Sequence, residues 1–308
     1  MITTFGLTKT FDGLVAVDTL NLHVDHGDIM GFIGPNGAGK TTTIKMLATL
    51  LKPSAGSAEI CGFNVMTQTN EVKRVIGYMP DFFGVYDDMK VWEYLDFFAA
   101  AYRIEQKRRA QIIGDVLELT DLAGKRDDSV EALSRGMKQR LCLAKTLVHD
   151  PSVLLLDEPA SGLDPRARIE LRELLKELRR MGKTILISSH ILTELSDFCN
   201  KIAIIEKGQL LVSGEVDEII QRLQGDRRIE IRVSSDVSRA LDVLRAIEHV
   251  KKIVVDGQSL EAEIGREMKD TSILLERLVG AGVKVSGVKE IEMDLEDAFM
   301  KITEGAVQ

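Results

Sequence analysis

The chain has 308 residues, of which 40 are Lys or Arg and 48 are Asp or Glu, for a formal net charge of -8. That length is enough for two domains with real cores, and the ordinary shares of apolar (44%) and charged (29%) residues exclude a disordered, collagen-like or disulfide-stapled chain. The acidic balance, with no run of five like charges, argues against a nucleic-acid partner.

The opening MITTFGLTKTF lacks the basic stretch and apolar run of a secretory leader, and nowhere do ~18 apolar residues follow one another, so the chain is not expected to span a membrane itself. Residues 1–34 read as strands: ITTFGL, LNLHV and the apolar run IMGFI. A glycine-rich turn follows. From Lys40 to Leu51 the residues Ile44, Leu47, Ala48 and Leu51 recur at helical spacing. Cys61, Cys142 and Cys199 are odd in number and far apart, with no ligand spacing among them, as in a reducing compartment. Tyr78 to His149 is helical pattern almost throughout and predicts a helical subdomain over about residues 80–150. Then come the apolar run Val153–Leu156, a helix over Arg166–Met181, the run TILISS, a short helix over Leu192–Phe198 and the run KIAIIE. This β/α alternation predicts a mainly parallel sheet with helices on its faces. A break near Leu223–Asp226 separates residues 1–222 from residues 226–308. The latter read strand, helix, strand, strand, helix, strand, with a last helix over LEDAFMKIT, the order of a small α+β ferredoxin-like domain.

Gly34-Pro35-Asn36-Gly37-Ala38-Gly39-Lys40-Thr41 fits G-x-x-x-x-G-K-[ST], after an apolar strand and at the start of a helix. The glycines let backbone N–H groups turn toward phosphate oxygens at a helix N-terminus. Lys40 adds a point charge, Thr41 offers a hydroxyl to Mg2+, and Thr42 adds donors to phosphate. Further on, the strand Val153–Leu156 delivers Asp157 and Glu158 side by side. Two carboxylates leaving a core strand suit a metal-holding group, Asp157, and a general base or water-positioning group, Glu158.

Leu133-Ser134-Arg135-Gly136-Met137-Lys138-Gln139-Arg140 resembles the signature of the ATP-binding cassette (ABC) ATPases. Ser161-Gly162-Leu163-Asp164 resembles that family's D-loop, His190 its switch histidine and Phe11 its adenine-stacking aromatic. The resemblance covers residues 1 to about 220. It implies a P-loop cassette with a parallel-sheet core, an antiparallel β subdomain and a helical subdomain, and it implies hydrolysis of ATP with Mg2+. It also implies a head-to-tail dimer, expected between identical chains, in which Ser134 and Gly136 of one subunit close over nucleotide on the P-loop of the other, while Asp164 crosses the interface. His190 would hold the γ phosphate with Glu158. Two positions depart from the family pattern. Arg135 stands where glycine is usual, tolerable with its side chain outward. Asp81, in Tyr78-Met79-Pro80-Asp81, stands where a glutamine contacts Mg2+ and water; aspartate can ligate Mg2+ but is shorter and donates no hydrogen bond when ionised.

One cassette followed by a small domain ending Asp294-Leu295-Glu296-Asp297-Ala298-Phe299 resembles the ATPase subunits of ABC-2 type exporters. That implies a separate membrane-spanning permease and a peripheral position on the cytoplasmic face of the membrane. The alternative is a soluble ABC ATPase uncoupled from transport, whose translation-type members carry two cassettes and whose repair-type members carry long coiled coils; neither occurs in this chain. Of the 15 aromatic residues, Tyr78, Phe82, Phe83, Tyr86, Trp92, Tyr94, Phe97, Phe98 and Tyr102 fall within positions 78–102. This cluster is where the family receives its membrane partner, and aromatics suit the centre of an interface.

Overall fold

Strands buried on both faces have to be apolar at every position, and this sets the centre of the fold. In a computed structural model of the chain, β4 (Ile29–Ile33), β8 (Val153–Leu156) and β9 (Thr184–Ser189) are buried at every residue, and β10 (Lys201–Glu206) at all but its two ends. The structure describes residues 1–82, 84, 88–191, 195, 198–223, 227–234, 236–265, 267, 268 and 270–291. With β7 (Ile76–Met79) these strands run parallel in the order β10-β4-β9-β8-β7, and β11 (Gln209–Glu215) closes the β10 edge antiparallel. The short helix expected over Leu192–Phe198 lies largely outside the described residues.

A second, antiparallel sheet carries β2 (Leu14–Leu20), β1 (Ile2–Phe11), β5 (Ala55–Ile60) and β6 (Phe63–Asn64) in that order, with β3 (His23–Val24) paired to β1. Helix α1 (Lys40–Leu47) contributes Ile44, Met46 and Leu47 to one buried cluster with Ile2, Leu7 and Val17 of this sheet and Met30 and Phe32 of the parallel one. It ends four residues earlier than its apolar spacing suggests, because Thr49 takes a left-handed φ of 61°. Helix α2 (Thr69–Val75) leads into β7.

The helical part consists of α3 (Val91–Ala101), α4 (Gln106–Leu119) and α5 (Arg135–Leu147). Tyr78 belongs to strand β7, not to a helix. Tyr94 is buried and meets Phe98 edge-on at 5.0 Å, and Trp92 lies under Arg126. Phe97 and Phe82 face solvent, while Phe83 and Tyr86 lie outside the described residues. Helix α6 (Pro165–Arg180) connects β8 to β9 and buries Leu171, Leu174, Leu175 and Leu178 on one stripe.

The chain divides into two compact units, Met1–Val216 and Asp217–Gln308. The second follows helix α7 (Val216–Leu223) with β12 (Arg227–Val233), α8 (Val237–Arg245), β13 (Val250–Asp256), β14 (Ser259–Ile264), α9 (Ser272–Gly280) and β15 (Val285–Ile291). Its sheet order is β13-β14-β12-β15 with every neighbour antiparallel, the arrangement of a ferredoxin-like βαββαβ domain. Ile229, Ile231, Leu260 and Ala262 pack beneath Leu244, Leu274 and Leu278 to form its own core. The helix expected over LEDAFMKIT lies outside the described residues.

Candidate active site

Strands β4, β9, β8 and β7 are parallel neighbours, so the segments leaving their C-terminal ends emerge together: Gly34–Thr41, His190, Asp157-Glu158 and Pro80-Asp81. A crevice at such strand ends is the common ligand position in open parallel sheets. Gly39 is the N-cap of α1 at φ 106°, and a Cβ on it would lie 2.5 Å from the Ala16 carbonyl of β2. Only glycine fits there. No side chain caps this helix, which leaves its first N–H groups for an anion. Pro35, Asn36 and Gly37 are exposed at the lip of the loop, whereas Gly34, Ala38 and Gly39 are buried, and Thr42 is half-buried in the first turn.

Lys40 is only 5% exposed, and its Nζ donates to the carbonyls of Gly34 (2.6 Å) and Pro35 (3.2 Å) while lying 3.3 Å from Glu158 Oε1. Asp157 is buried. Its Oδ1 accepts from Thr41 (3.1 Å) and Ser188 (2.8 Å), and its Oδ2 has no hydrogen-bond partner. Burial pushes the Asp157 carboxyl above its ordinary range; the two hydroxyls oppose this, and the negative charges of Asp81 and Glu158 add to it. A buried carboxylate oxygen without a donor is costly unless a cation meets it. With Thr41 beside it, this donor set fits a hard, oxygen-seeking ion such as Mg2+.

Glu158 holds a left-handed φ of 49°, rare for a residue with a Cβ, and its N–H donates to Ser188 Oγ at 3.0 Å. Strain of this kind is retained where the surroundings fix it, often at functional sites. Its Oε2 lies 2.9 Å from His190 Nδ1, so Lys40, Glu158 and His190 form one polar chain. Asp81 is exposed, and its charge acts on Asp157 and on Tyr78. The Tyr78 hydroxyl is pushed up to about 12, first by burial and then by Asp157 and Asp81.

Ser134, Gly136 and Asp164 form a second group. Ser134 caps α5 by accepting from the Met137 N–H at 3.3 Å, and Asp164 caps α6 by accepting from the Ala167 N–H at 2.9 Å. Gly136 faces Leu163 and Ala167. Phe11 stands 42% exposed at the end of β1, with Lys9 Nζ 4.9 Å from its ring centroid. The hairpin that carries it returns as β2, whose Ala16 and Val17 touch Gly39. Arg135 is exposed, and its guanidinium lies against the loop before α6, where it donates to the Ser161 carbonyl at 3.3 Å. Ser188 holds both Asp157 and Glu158, and its one signal in the sequence is the hydroxyl pair that closes the apolar run TILISS.

A family profile described as ABC transporter matches residues 17–161. Nod factor export ATP-binding protein I of Burkholderia pseudomallei is 40% identical over 223 residues, covering 72% of this chain and 73% of that protein. The chain belongs to the ABC transporter ATP-binding proteins. Uncharacterized ABC transporter ATP-binding protein YhcH of Bacillus subtilis is 34% identical over 97% of this chain and 94% of its own length. Probable multidrug ABC transporter ATP-binding protein YbhF of Escherichia coli is 35% identical over 99% of this chain, which spans 52% of that protein. Among solved structures, the ATP binding subunit of an ABC transporter superposes with a TM-score of 0.66 at 27% identity, covering 72% of this chain and 92% of that one. The α/β cassette fold follows, and the chain is an ATP-binding, ATP-hydrolysing subunit of an ABC transporter. No helix among the described residues is long and apolar enough to cross a membrane.

Proposed function

We propose that the chain is the motor subunit of an ABC-2 type exporter, with residues 1–222 as nucleotide-binding domain and residues 226–308 as an accessory domain. It works as a head-to-tail homodimer on the cytoplasmic face of the membrane, against a separate membrane-spanning permease. The convergence of Lys40, Thr41, Asp157, Glu158 and His190 at four adjacent strand ends carries this reading. The amides of Gly34, Asn36, Gly37, Ala38 and Gly39, with Lys40 and Thr42, bind the phosphates of ATP, and Phe11 stacks on the base. Thr41 and Asp157, with Asp81, hold Mg2+, which when bound neutralises charge building on the phosphates. Glu158 orients and deprotonates the attacking water; His190, hydrogen-bonded to it, fixes the carboxylate and meets the γ phosphate. Ser134 and Gly136 of the other subunit complete each site at a helix N-terminus, with Asp164 at the same interface.

In this reading the permease contacts a cleft of about 300 Å³ lined by Leu50, Lys73, Tyr78, Phe98, Tyr102 and Lys145. Tyr78 belongs to both regions, since it lines the cleft and feels the charges of Asp157 and Asp81. The exporter-type names of the relatives and the small domain after the cassette support export over a soluble, uncoupled ATPase. The test is Glu158→Gln in the full chain. ATP binding should persist, turnover should fall by ~10²–10⁴, and ATP should drive the chain into a stable dimer. Near-normal turnover would remove Glu158 from the role assigned to it.

A further inference from the structure

Arg135 is the residue by which the first group of the site is tied to the second. Its guanidinium covers Gly162 so closely that a Cβ on that glycine would collide with it, and Gly162 holds φ at 69°. Nη2 donates to the Ser161 carbonyl at 3.3 Å, and the Ser161 N–H in turn donates to the Glu158 carbonyl at 3.1 Å. From below, Arg168 Nε donates to the Leu163 carbonyl at 3.1 Å. Two arginines thus clamp the segment from Glu158 to Asp164. The helix that bears Arg135 is itself held to α6, since Gly136 lies against Leu163 and Ala167 and Arg140 reaches Glu170 at 3.7 Å; Arg140 also pairs with Asp121, just after α4, at 2.8 Å. A planar guanidinium suits this place because it lies flat on a glycine while directing an N–H at a carbonyl, which an ammonium cannot do.

We propose that Arg135 is a positioning residue for hydrolysis. It fixes the Glu158–Asp164 segment from the helix that starts at Ser134, and so sets the backbone of Glu158 in its left-handed conformation. Because Ser134 and Gly136 adjoin it, any displacement of that helix start is transmitted through Ser161 to Glu158 of the same chain. The proposal rests on the assignment of Glu158 above. It requires that the glycine at position 162 and the arginine at position 135 act as one unit.

Steady-state ATPase of the purified full chain decides the matter. Arg135→Ala should lower kcat on the order of tenfold with KM for ATP within about twofold, the mark of a misplaced reacting group and not of lost substrate binding. Its melting midpoint should stay within about 2 °C of the parent, since the contact is at the surface. Gly162→Ala should give the same loss by displacing the guanidinium, and the double variant should lose no more than either single one. Arg135→Lys should recover only part of kcat. The proposal fails if Arg135→Ala keeps kcat within about twofold, if KM rises while kcat holds, or if the two losses multiply. Glu158→Gln run in parallel separates the two levels. An inactive Glu158→Gln beside a fully active Arg135→Ala rejects the clamp alone, whereas an active Glu158→Gln rejects the role of Glu158 itself.

Discussion

Replacing Asp157 with Asn separates a residue kept for the fold from one kept for a ligand. Asp157 is 1% exposed, its Oδ2 has no donor, and the charges of Asp81 and Glu158 act on it. Asn preserves the acceptor for Thr41 and Ser188 and removes the buried charge. The nucleotide-free variant should therefore be more stable than the parent at neutral pH by ~1–2 kcal/mol, the usual scale for relieving a poorly satisfied buried group. For a unit of this size that is a rise of about 2–8 °C in melting midpoint. The sign of the pH dependence follows from the raised carboxyl. Above its folded-state pKa the parent bears the cost of an ionised Asp157; as pH falls through that value the carboxyl takes a proton and the cost disappears. The variant's advantage should narrow accordingly. With Mg2+ and ATP at ~100 times the dissociation constant, the parent should gain about 2.7 kcal/mol and the variant little. Calorimetric melts of both chains from pH 5 to 8, with and without Mg-ATP, read all of this. A variant less stable than the parent without nucleotide would refute the reasoning, since Asp157 would then serve the fold through its two hydroxyl partners.

Gly39→Ala, which places a Cβ 2.5 Å from the Ala16 carbonyl at φ 106°, should lose ATP affinity by tenfold or more, on the order of the 1–3 kcal/mol cost of such strain; equilibrium binding of a fluorescent ATP analogue checks it. Tyr102→Glu puts a charge into the aromatic cleft beside Phe98 and should weaken co-purification with the membrane subunit by more than tenfold, a loss of ~1.4 kcal/mol or more.

The P-loop was legible because phosphate binding imposes residue types at fixed spacing, and the buried strands β4, β8, β9 and β10 because they are apolar at nearly every position. Strand β2 was not: Leu14 and Val15 are exposed at a hairpin tip, so LVAVDTL shows no clean alternation. Strand β5, AGSAEI, is made of small residues whose pairing with β1 supplies the order that composition conceals. The antiparallel edge β11 mixes exposed and half-buried residues, again without a pattern. Asp157 and Glu158 stood out because they follow an apolar run, and His190 through the family resemblance, but Ser188 stayed hidden as the last buried residues of such a run look structural. The turn of Arg135 onto Gly162 was beyond reach, since the two are brought together by the packing of α5 on α6 and by no local preference. The βαββαβ part of the second unit was legible because strand and helix segments follow one another in order.

If each hydrolytic site is built from two chains, mixing two inactive subunits should restore it. Lys40→Ala lacks the phosphate ligand of its own P-loop, and Ser134→Arg lacks the group it offers its partner; each alone should be inactive. Mixed in equal amounts, half of the dimers should be mixed pairs with one intact site each, so ATPase should return to roughly a quarter of the parent level. A mixture as inactive as its components would contradict the shared site, as would full activity of Ser134→Arg alone.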